Sequence, residues 1–132
     1  MNIYLDIDGV ILANDKNGAN YVHEFLEHIT TKYPDSTYWL TTHCQGNAQT
    51  AVERLREVLK PETIELLSNI KPTRWDTAKT EAIDFTKPFL WFDDDLYDEE
   101  RIDLEKYGVI SGWIEVDLSK NENHLKELIK IL

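Results

Sequence analysis

The sequence has a single cysteine, Cys44, among its 132 residues. One cysteine excludes an intrachain disulfide framework and a cysteine-rich zinc site, and it is compatible with a reducing compartment. No apolar run approaches the ~18 residues that a membrane-spanning helix needs. The amino terminus lacks a basic start and reaches a carboxylate at Asp6, unlike a secretory signal peptide. These absences predict a cytoplasmic protein with no membrane partner.

Basic residues are also scarce, because 14 Lys and Arg stand against 25 Asp and Glu, for a formal net charge of −11. Lys and Arg supply most phosphate contacts in nucleic-acid complexes, so this balance opposes binding through a broad basic surface. A basic patch on one face is still compatible with this charge balance. Hydrophobic residues make up 42%, which argues against a disordered acidic tail. We expect one domain over residues 1–132, since no repeat, low-complexity tract or linker interrupts the chain.

Short apolar segments and segments with helical spacing alternate along the chain. The first kind predicts four strands, at 3–7, 37–40, 88–92 and 113–116. The second kind predicts helices at 21–33, 51–59, 62–67, 75–84, 99–107 and 125–132. This alternation predicts an α/β protein, a Rossmann-like three-layer α/β/α sandwich with a mainly parallel sheet. Ligands of such sheets bind beyond the carboxyl ends of the strands.

Two of those strand ends are strongly acidic. Asp6 and Asp8 leave the first strand on the same side, because side chains alternate along a strand. Carboxylates held so close repel unless a cation or a shared proton compensates. Segment 93–100 adds six acids in eight residues behind an apolar strand, and hard oxygen ligands suit Mg²⁺. A solvated loop at a helix start is the alternative, which we prefer for Asp95, Glu99 and Glu100.

Four motifs follow one another between residue 3 and about residue 100. They are Tyr4-Leu5-Asp6-Ile7-Asp8-Gly9-Val10, then Tyr38-Trp39-Leu40-Thr41, then a lysine, then Phe89-Leu90-Trp91-Phe92-Asp93-Asp94. In this order they resemble the haloacid dehalogenase-like superfamily, whose members are mostly Mg²⁺-dependent phosphohydrolases. Within this superfamily, the chain is similar to small domains associated with RNA-repair proteins. The residues that carry this similarity are Trp39-Leu40-Thr41-Thr42 with Asn47-Ala48, and Trp91-Phe92-Asp93-Asp94. Response-regulator receivers have a different order, with both acidic positions before the threonine.

The resemblance implies cleavage of a phosphomonoester through an aspartyl-phosphate. Asp6 would be the nucleophile, and Asp8 would protonate the leaving oxygen and later activate water. Mg²⁺ would be held by Asp6, the backbone carbonyl of Asp8 and Asp94. Asp93 or Asp98 would orient the water molecules on the metal.

The same resemblance assigns groups that bind the phosphoryl oxygens. Thr41 would contact one of them through its hydroxyl, with Thr42 as the alternative one residue later. Lys79 is our preferred cation, on the grounds of motif order and helix position alone. Lys71 is the other candidate. His43 and Cys44 follow the second motif at the expected mouth of the pocket, where Trp75 is a candidate for stacking on a base or sugar.

The chain leaves little room for a cap domain. About a dozen residues, from Val10 to Asn20, separate the first motif from the next predicted helix, and segment 14–18 is either a small flap or a plain surface hairpin. We therefore expect a capless core with an open site. By analogy such a site suits a large phosphorylated substrate, with a macromolecule or a nucleic-acid end among the candidates. A phosphotransferase and a catalytically idle metal-binding interaction module are the alternative functions.

Overall fold

The computed structural model describes residues 1–132 and contains a four-stranded parallel sheet with a separate small hairpin. The strands are β1 (Asn2–Leu5), β2 (Leu12–Asn14), β3 (Asn17–Gly18), β4 (Thr37–Trp39), β5 (Phe89–Asp93) and β6 (Trp113–Glu115). The sheet has the order β4-β1-β5-β6, and every neighbouring pair is parallel. The predicted α/β class with a mainly parallel sheet is therefore confirmed. Segment 14–18 belongs to the antiparallel β2–β3 hairpin.

Five α-helices connect and follow the strands. They are α1 (Val22–Lys32), α2 (Ala48–Arg56), α3 (Pro61–Ile64), α4 (Asp98–Lys106) and α5 (His124–Ile129). Short 3₁₀ helices cover Glu65–Leu67, Lys79–Ala82 and Ile110–Gly112. None of these helices has the length and apolar character needed to cross a membrane.

The helix predicted over 75–84 is wrong, because only the 3₁₀ helix Lys79–Ala82 forms there. The carboxylate of Glu81 accepts hydrogen bonds from the backbone N–H groups of Asp76, Thr77 and Ala78, at 3.3, 3.0 and 2.7 Å. A helix would direct those N–H groups elsewhere, so the side chain stabilises an irregular segment instead. The amphipathic spacing of Trp75, Ala78 and Ala82 carries no information about this competing bond.

Alternate residues of the central strands belong to two separate buried clusters. Ile3 and Leu5 of β1 pack in a cluster that includes Phe25 of α1 and Leu125 of α5. Tyr4 of β1 packs in a second cluster, which includes Leu104 of α4 and Trp91 of β5. Both faces of the sheet are thus apolar and covered, so polar chemistry is confined to its ends.

The carboxyl ends of β1, β4 and β5 lie at one edge of the sheet. The N–H of Asp6 donates to the carbonyl of Phe92, and the N–H of Leu40 donates to the carbonyl of Leu5. After β1 the chain turns sharply, with Gly9 in the left-handed region at φ +78°. The residues that follow these three strands therefore meet in space.

Candidate functional site

Asp6 directly follows β1 and is almost fully buried. Its Oδ1 accepts a hydrogen bond from the N–H of Ile7 at 2.8 Å, and its Oδ2 lies 3.5 Å from Nζ of Lys79. Burial raises the pKa of Asp6, and the positive charge of Lys79 opposes this shift without cancelling it. One oxygen is thus fixed by the backbone, while the other faces the cation.

Asp93 is the last residue of β5 and only 2% exposed. Its Oδ2 accepts hydrogen bonds from Nζ of Lys79 at 2.6 Å and from Nε1 of Trp91 at 3.1 Å. Trp91 reaches it because residues two apart on a strand lie on the same face. Burial, and then repulsion by Asp6, raises the pKa of Asp93 to about 6.

Lys79 is the cation of the site. Burial lowers its pKa, but attraction to Asp6 and Asp93 outweighs burial, so the net shift is upward and Nζ stays charged. Lys71 is elsewhere, since its Nζ donates to the carbonyl of Asp35 at 2.7 Å, before the amino end of β4. The structure thus brings Lys79 to the acids, and not Lys71.

Asp94 completes a group of three carboxylates. Oxygens of Asp6, Asp93 and Asp94 all lie within 4.8 Å of one another, close enough to hold one metal ion. Partial burial raises the pKa of Asp94 to about 6, with a further contribution from its hydrogen bond with Asp93. Carboxylates are ligands for hard divalent cations generally, so the donor set fits Mg²⁺ without selecting it over Mn²⁺ or Ca²⁺. Asp98 is exposed at the first turn of α4, outside this group.

Gly9 brings the two acidic loops into contact. A Cβ atom at Gly9 would lie 2.7 Å from Cβ of Asp94, which is too close for any other residue. The left-handed φ of Gly9 disfavours a side chain as well. The glycine of the first motif therefore permits the approach of Asp94 to Asp6.

Asp8 is the most exposed of the predicted catalytic residues, with a side chain 58% accessible. Its Oδ2 lies 2.9 Å from Nε2 of His43, on the loop after β4. Its carboxylate is outside the group of three described above. The sequence placed His43 at the pocket mouth but gave no sign of this bond, which joins residues 35 apart.

The two threonines after β4 differ sharply in accessibility. Thr41 is fully buried, and its Oγ1 accepts a hydrogen bond from the N–H of His43 at 3.3 Å. Thr42 is exposed and lines the cavity. The sequence preferred Thr41 as the residue that contacts the phosphoryl group, whereas the structure places its alternative, Thr42, in the cavity lining and Thr41 behind it, bonded to His43.

These groups surround an open cavity of about 440 Å³. Asp6, Asp8, Asp93, Asp94, Lys79 and Thr42 all line it. The remaining lining residues are Trp75, Thr77, Asp95, Tyr97 and Glu100. Five predicted site residues and Thr42, the alternative to Thr41, therefore share one cavity at the carboxyl edge of the sheet.

Glu100 is the residue that sequence reasoning missed. It is 3% exposed, whereas a solvated position was expected, while Asp95 and Glu99 are exposed as expected. Its two oxygens accept hydrogen bonds from the N–H of Lys79 at 3.0 Å and the N–H of Tyr97 at 3.1 Å, and burial raises its pKa. Its position in the first turn of α4 was the available signal, because a glutamate there reaches back to the N–H before the helix.

Comparison of the chain with protein-family models, with curated proteins and with solved structures gave no match.

Proposed function

We propose that the protein is a Mg²⁺-dependent phosphohydrolase that cleaves a phosphomonoester through an aspartyl-phosphate. The observation that carries the proposal is that the carboxylates of Asp6, Asp93 and Asp94 cluster in one open cavity with Lys79, which pairs with Asp6 and Asp93. The proposal includes a three-layer core of the haloacid dehalogenase-like type, without a cap, similar to the small domains associated with RNA-repair proteins. A cytoplasmic location belongs to it as well, since Cys44 is a free, buried thiol.

Asp6 is the nucleophile of the proposal. Its Oδ1 is fixed by the N–H of Ile7, and Lys79 holds a positive charge 3.5 Å from Oδ2. A carboxylate oxygen attacks phosphorus in line, the ester P–O bond breaks, and the aspartyl-phosphate forms. Asp6 is largely buried but lines the open cavity, so a phosphoryl group in the cavity can approach its carboxylate.

Asp8 is the acid and base. It donates a proton to the leaving oxygen as the ester bond breaks, and it takes a proton from the water molecule that then attacks the aspartyl-phosphate. Phosphate leaves with Asp6 regenerated. The accessibility of Asp8 supports this role, because the group must reach both the leaving oxygen and water.

Mg²⁺ would be held by Asp6, Asp94 and the backbone carbonyl of Asp8. When bound, it neutralises charge on the nucleophile and the phosphate. Asp93 already accepts hydrogen bonds from Lys79 and Trp91, so it orients Lys79 and would orient water molecules on a bound metal. Lys79 and Thr42 bind the equatorial oxygens of the phosphoryl group, Lys79 as a point charge.

Hydrolysis of p-nitrophenyl phosphate tests the proposal. We expect activity with Mg²⁺, none with EDTA, and a loss of at least about 10³-fold in Asp6→Asn. Asp35→Asn is the matched control, because Asp35 is exposed and precedes the amino end of β4. Release of p-nitrophenol without phosphate, accelerated by an added alcohol, would instead indicate a phosphotransferase. Mg²⁺ binding without turnover of aryl, nucleotide, sugar or oligonucleotide phosphates would contradict an enzymatic function.

A further inference from the structure

The residues that line the cavity beyond the reacting groups indicate which class of substrate it accepts. We propose that the site takes small phosphomonoesters whose leaving group carries a planar aromatic ring and no second phosphate, with nucleoside monophosphates as the class it fits best. This inference rests on the proposed function and specifies its substrate. It also selects among the substrates suggested by the resemblance, since it disfavours a nucleic-acid end.

Aromatic rings form all of the apolar wall. Of the 11 residues that line the cavity, two are hydrophobic, and both are aromatic, Trp75 and Tyr97. Trp75 is half-buried and packs against the buried cluster that contains Tyr4 and Trp91, so its position is fixed. Tyr97 is 64% exposed, immediately before α4. A ring so exposed adds little to the core, whereas it offers a face on which a base can stack.

The charge of the lining limits the phosphate content of the substrate. Six carboxylates line the cavity, against the single cation Lys79 and no arginine. Lys79 and a bound divalent cation would compensate the charge of one phosphoryl group. A second phosphate would meet Asp95, which is exposed on the loop after β5 and has no cationic partner within 4 Å. Coulomb repulsion therefore favours a monophosphate over a diphosphate, a bisphosphate or a polymer.

The remaining polar groups suit a sugar between the phosphate and the ring. Carboxylates accept hydrogen bonds from sugar hydroxyls, and Thr42 and Thr77 add hydroxyl groups to the lining. A volume of about 440 Å³ lies within the range of small-molecule sites. The lining thus contains groups that suit the phosphate, the sugar and the base of one nucleotide.

Two substrate pairs test the two parts of the inference. Adenosine 5′-monophosphate and ribose 5-phosphate differ only in the base, and we expect kcat/KM to favour the nucleotide by at least about 10-fold, the scale of base stacking. Adenosine 3′,5′-bisphosphate adds one phosphate, and we expect its kcat/KM to fall below that of the monophosphate. Phenyl phosphate and glycerol phosphate distinguish a general preference for aromatic rings from a preference for nucleosides.

Substitutions of lining residues test which side chains produce these substrate preferences. Tyr97→Ala and Trp75→Leu should each lower the nucleotide-to-ribose ratio, chiefly through KM. Tyr107→Ala is the matched control, because Tyr107 is 58% exposed just after the opposite end of α4. Asp95→Asn should raise kcat/KM for the bisphosphate relative to the monophosphate by several-fold.

A nucleotide-to-ribose ratio of kcat/KM near one in the wild type, or an unchanged ratio in both aromatic variants, would overturn the inference that the leaving group carries an aromatic ring. Faster turnover of a 5′-phosphorylated oligonucleotide than of the monophosphate would overturn the inference that the site disfavours a second phosphate. Calorimetric binding of the same two pairs to Asp6→Asn with Mg²⁺ repeats the comparison without turnover. A wild type inactive on every ester, with an Asp6→Asn variant that still prefers the nucleotide, would reject the proposed function and keep the binding preference.

Discussion

Replacing Lys79 by methionine tests the electrostatic organisation of the site most directly. Methionine keeps the length and apolar volume of the stem but removes the charge. In the native protein Nζ lies 2.6 Å from Asp93 and 3.5 Å from Asp6, and both carboxyls are buried. Removing one partner of a buried ion pair costs about 3–5 kcal/mol, because the other charge remains buried and uncompensated.

Protonation of the carboxyls limits this cost at low pH. The pKa of Asp93 is already about 6 in the native protein, and without Lys79 the pKa values of Asp93 and Asp6 rise further. A carboxyl whose folded pKa exceeds its unfolded value stabilises the protein fully below the unfolded pKa, and this stability is lost as pH rises through the folded pKa. We therefore expect Lys79→Met to lower the free energy of unfolding by about 3 kcal/mol at pH 7.5, and by clearly less at pH 5.5.

Urea unfolding with EDTA, at both pH values, measures the effect. Lys71→Met is the matched control, because the Nζ of Lys71 bonds only the exposed carbonyl of Asp35 and lies 5.7 Å from the ring centre of Tyr38. It should cost less than about 1 kcal/mol. The reasoning is refuted if Lys79→Met costs no more than this control, or if its deficit is larger at pH 5.5. Should Lys79→Met fail to fold at pH 7.5, the double variant with Asp93→Asn should fold and recover part of the stability.

Three further outcomes are expected. Mg²⁺ should raise the thermal midpoint more at pH 7.5 than at pH 5.5, because the carboxyl of Asp94, with a pKa of about 6, holds a proton at the lower pH; an equal shift at both would argue against a carboxylate site. Gly9→Ala should destabilise by more than Gly108→Ala, since both glycines have positive φ but only Gly9 approaches Asp94; chemical denaturation compares the two, and equal losses would exclude the clash. His43→Ala, which removes the 2.9 Å contact with Asp8, should slow alkyl phosphates about 10-fold and p-nitrophenyl phosphate less, because the better leaving group needs less acid catalysis. Equal slowing of both esters would assign His43 no role in proton transfer.

The strand ends were the part of the site that sequence reasoning located well. An apolar strand before Asp6 and another before Asp93 predicted two acidic ends, and the rule for parallel sheets predicted that they meet. The structure places their oxygens in one group with Asp94. The acidic cluster could be predicted because its geometry follows from strand periodicity and sheet topology alone.

Contacts between distant segments could not be predicted in this way. Glu100 is buried because the N–H of Lys79, 21 residues earlier, donates to it, and no local pattern encodes that pairing. The choice between Thr41 and Thr42 depends on the residue at which β4 stops, which sequence reasoning locates to within a few residues. The irregular segment before Lys79 depends on the carboxylate of Glu81, and helical spacing cannot reveal it.

The backbone around Lys79 has a consequence for local opening of the molecule. Asp6 and Asp93 are held by backbone hydrogen bonds of the sheet, whereas the segment before Lys79 is bonded internally by the carboxylate of Glu81 and to α4 by the carboxylate of Glu100. This segment can open while the sheet stays folded, but at Lys79 the opening must also break the ion pairs with Asp93 and Asp6, so we expect faster amide exchange at residues 76–78 than in the strands. Hydrogen bonds from the backbone, chiefly from the N–H of Ala78, lower the pKa of Glu81, so this restraint is present above its unfolded pKa and is lost only as pH falls through the lowered value. Lys79, the only cation of the site, therefore lies on a segment that can separate from Asp6 and Asp93 without global unfolding.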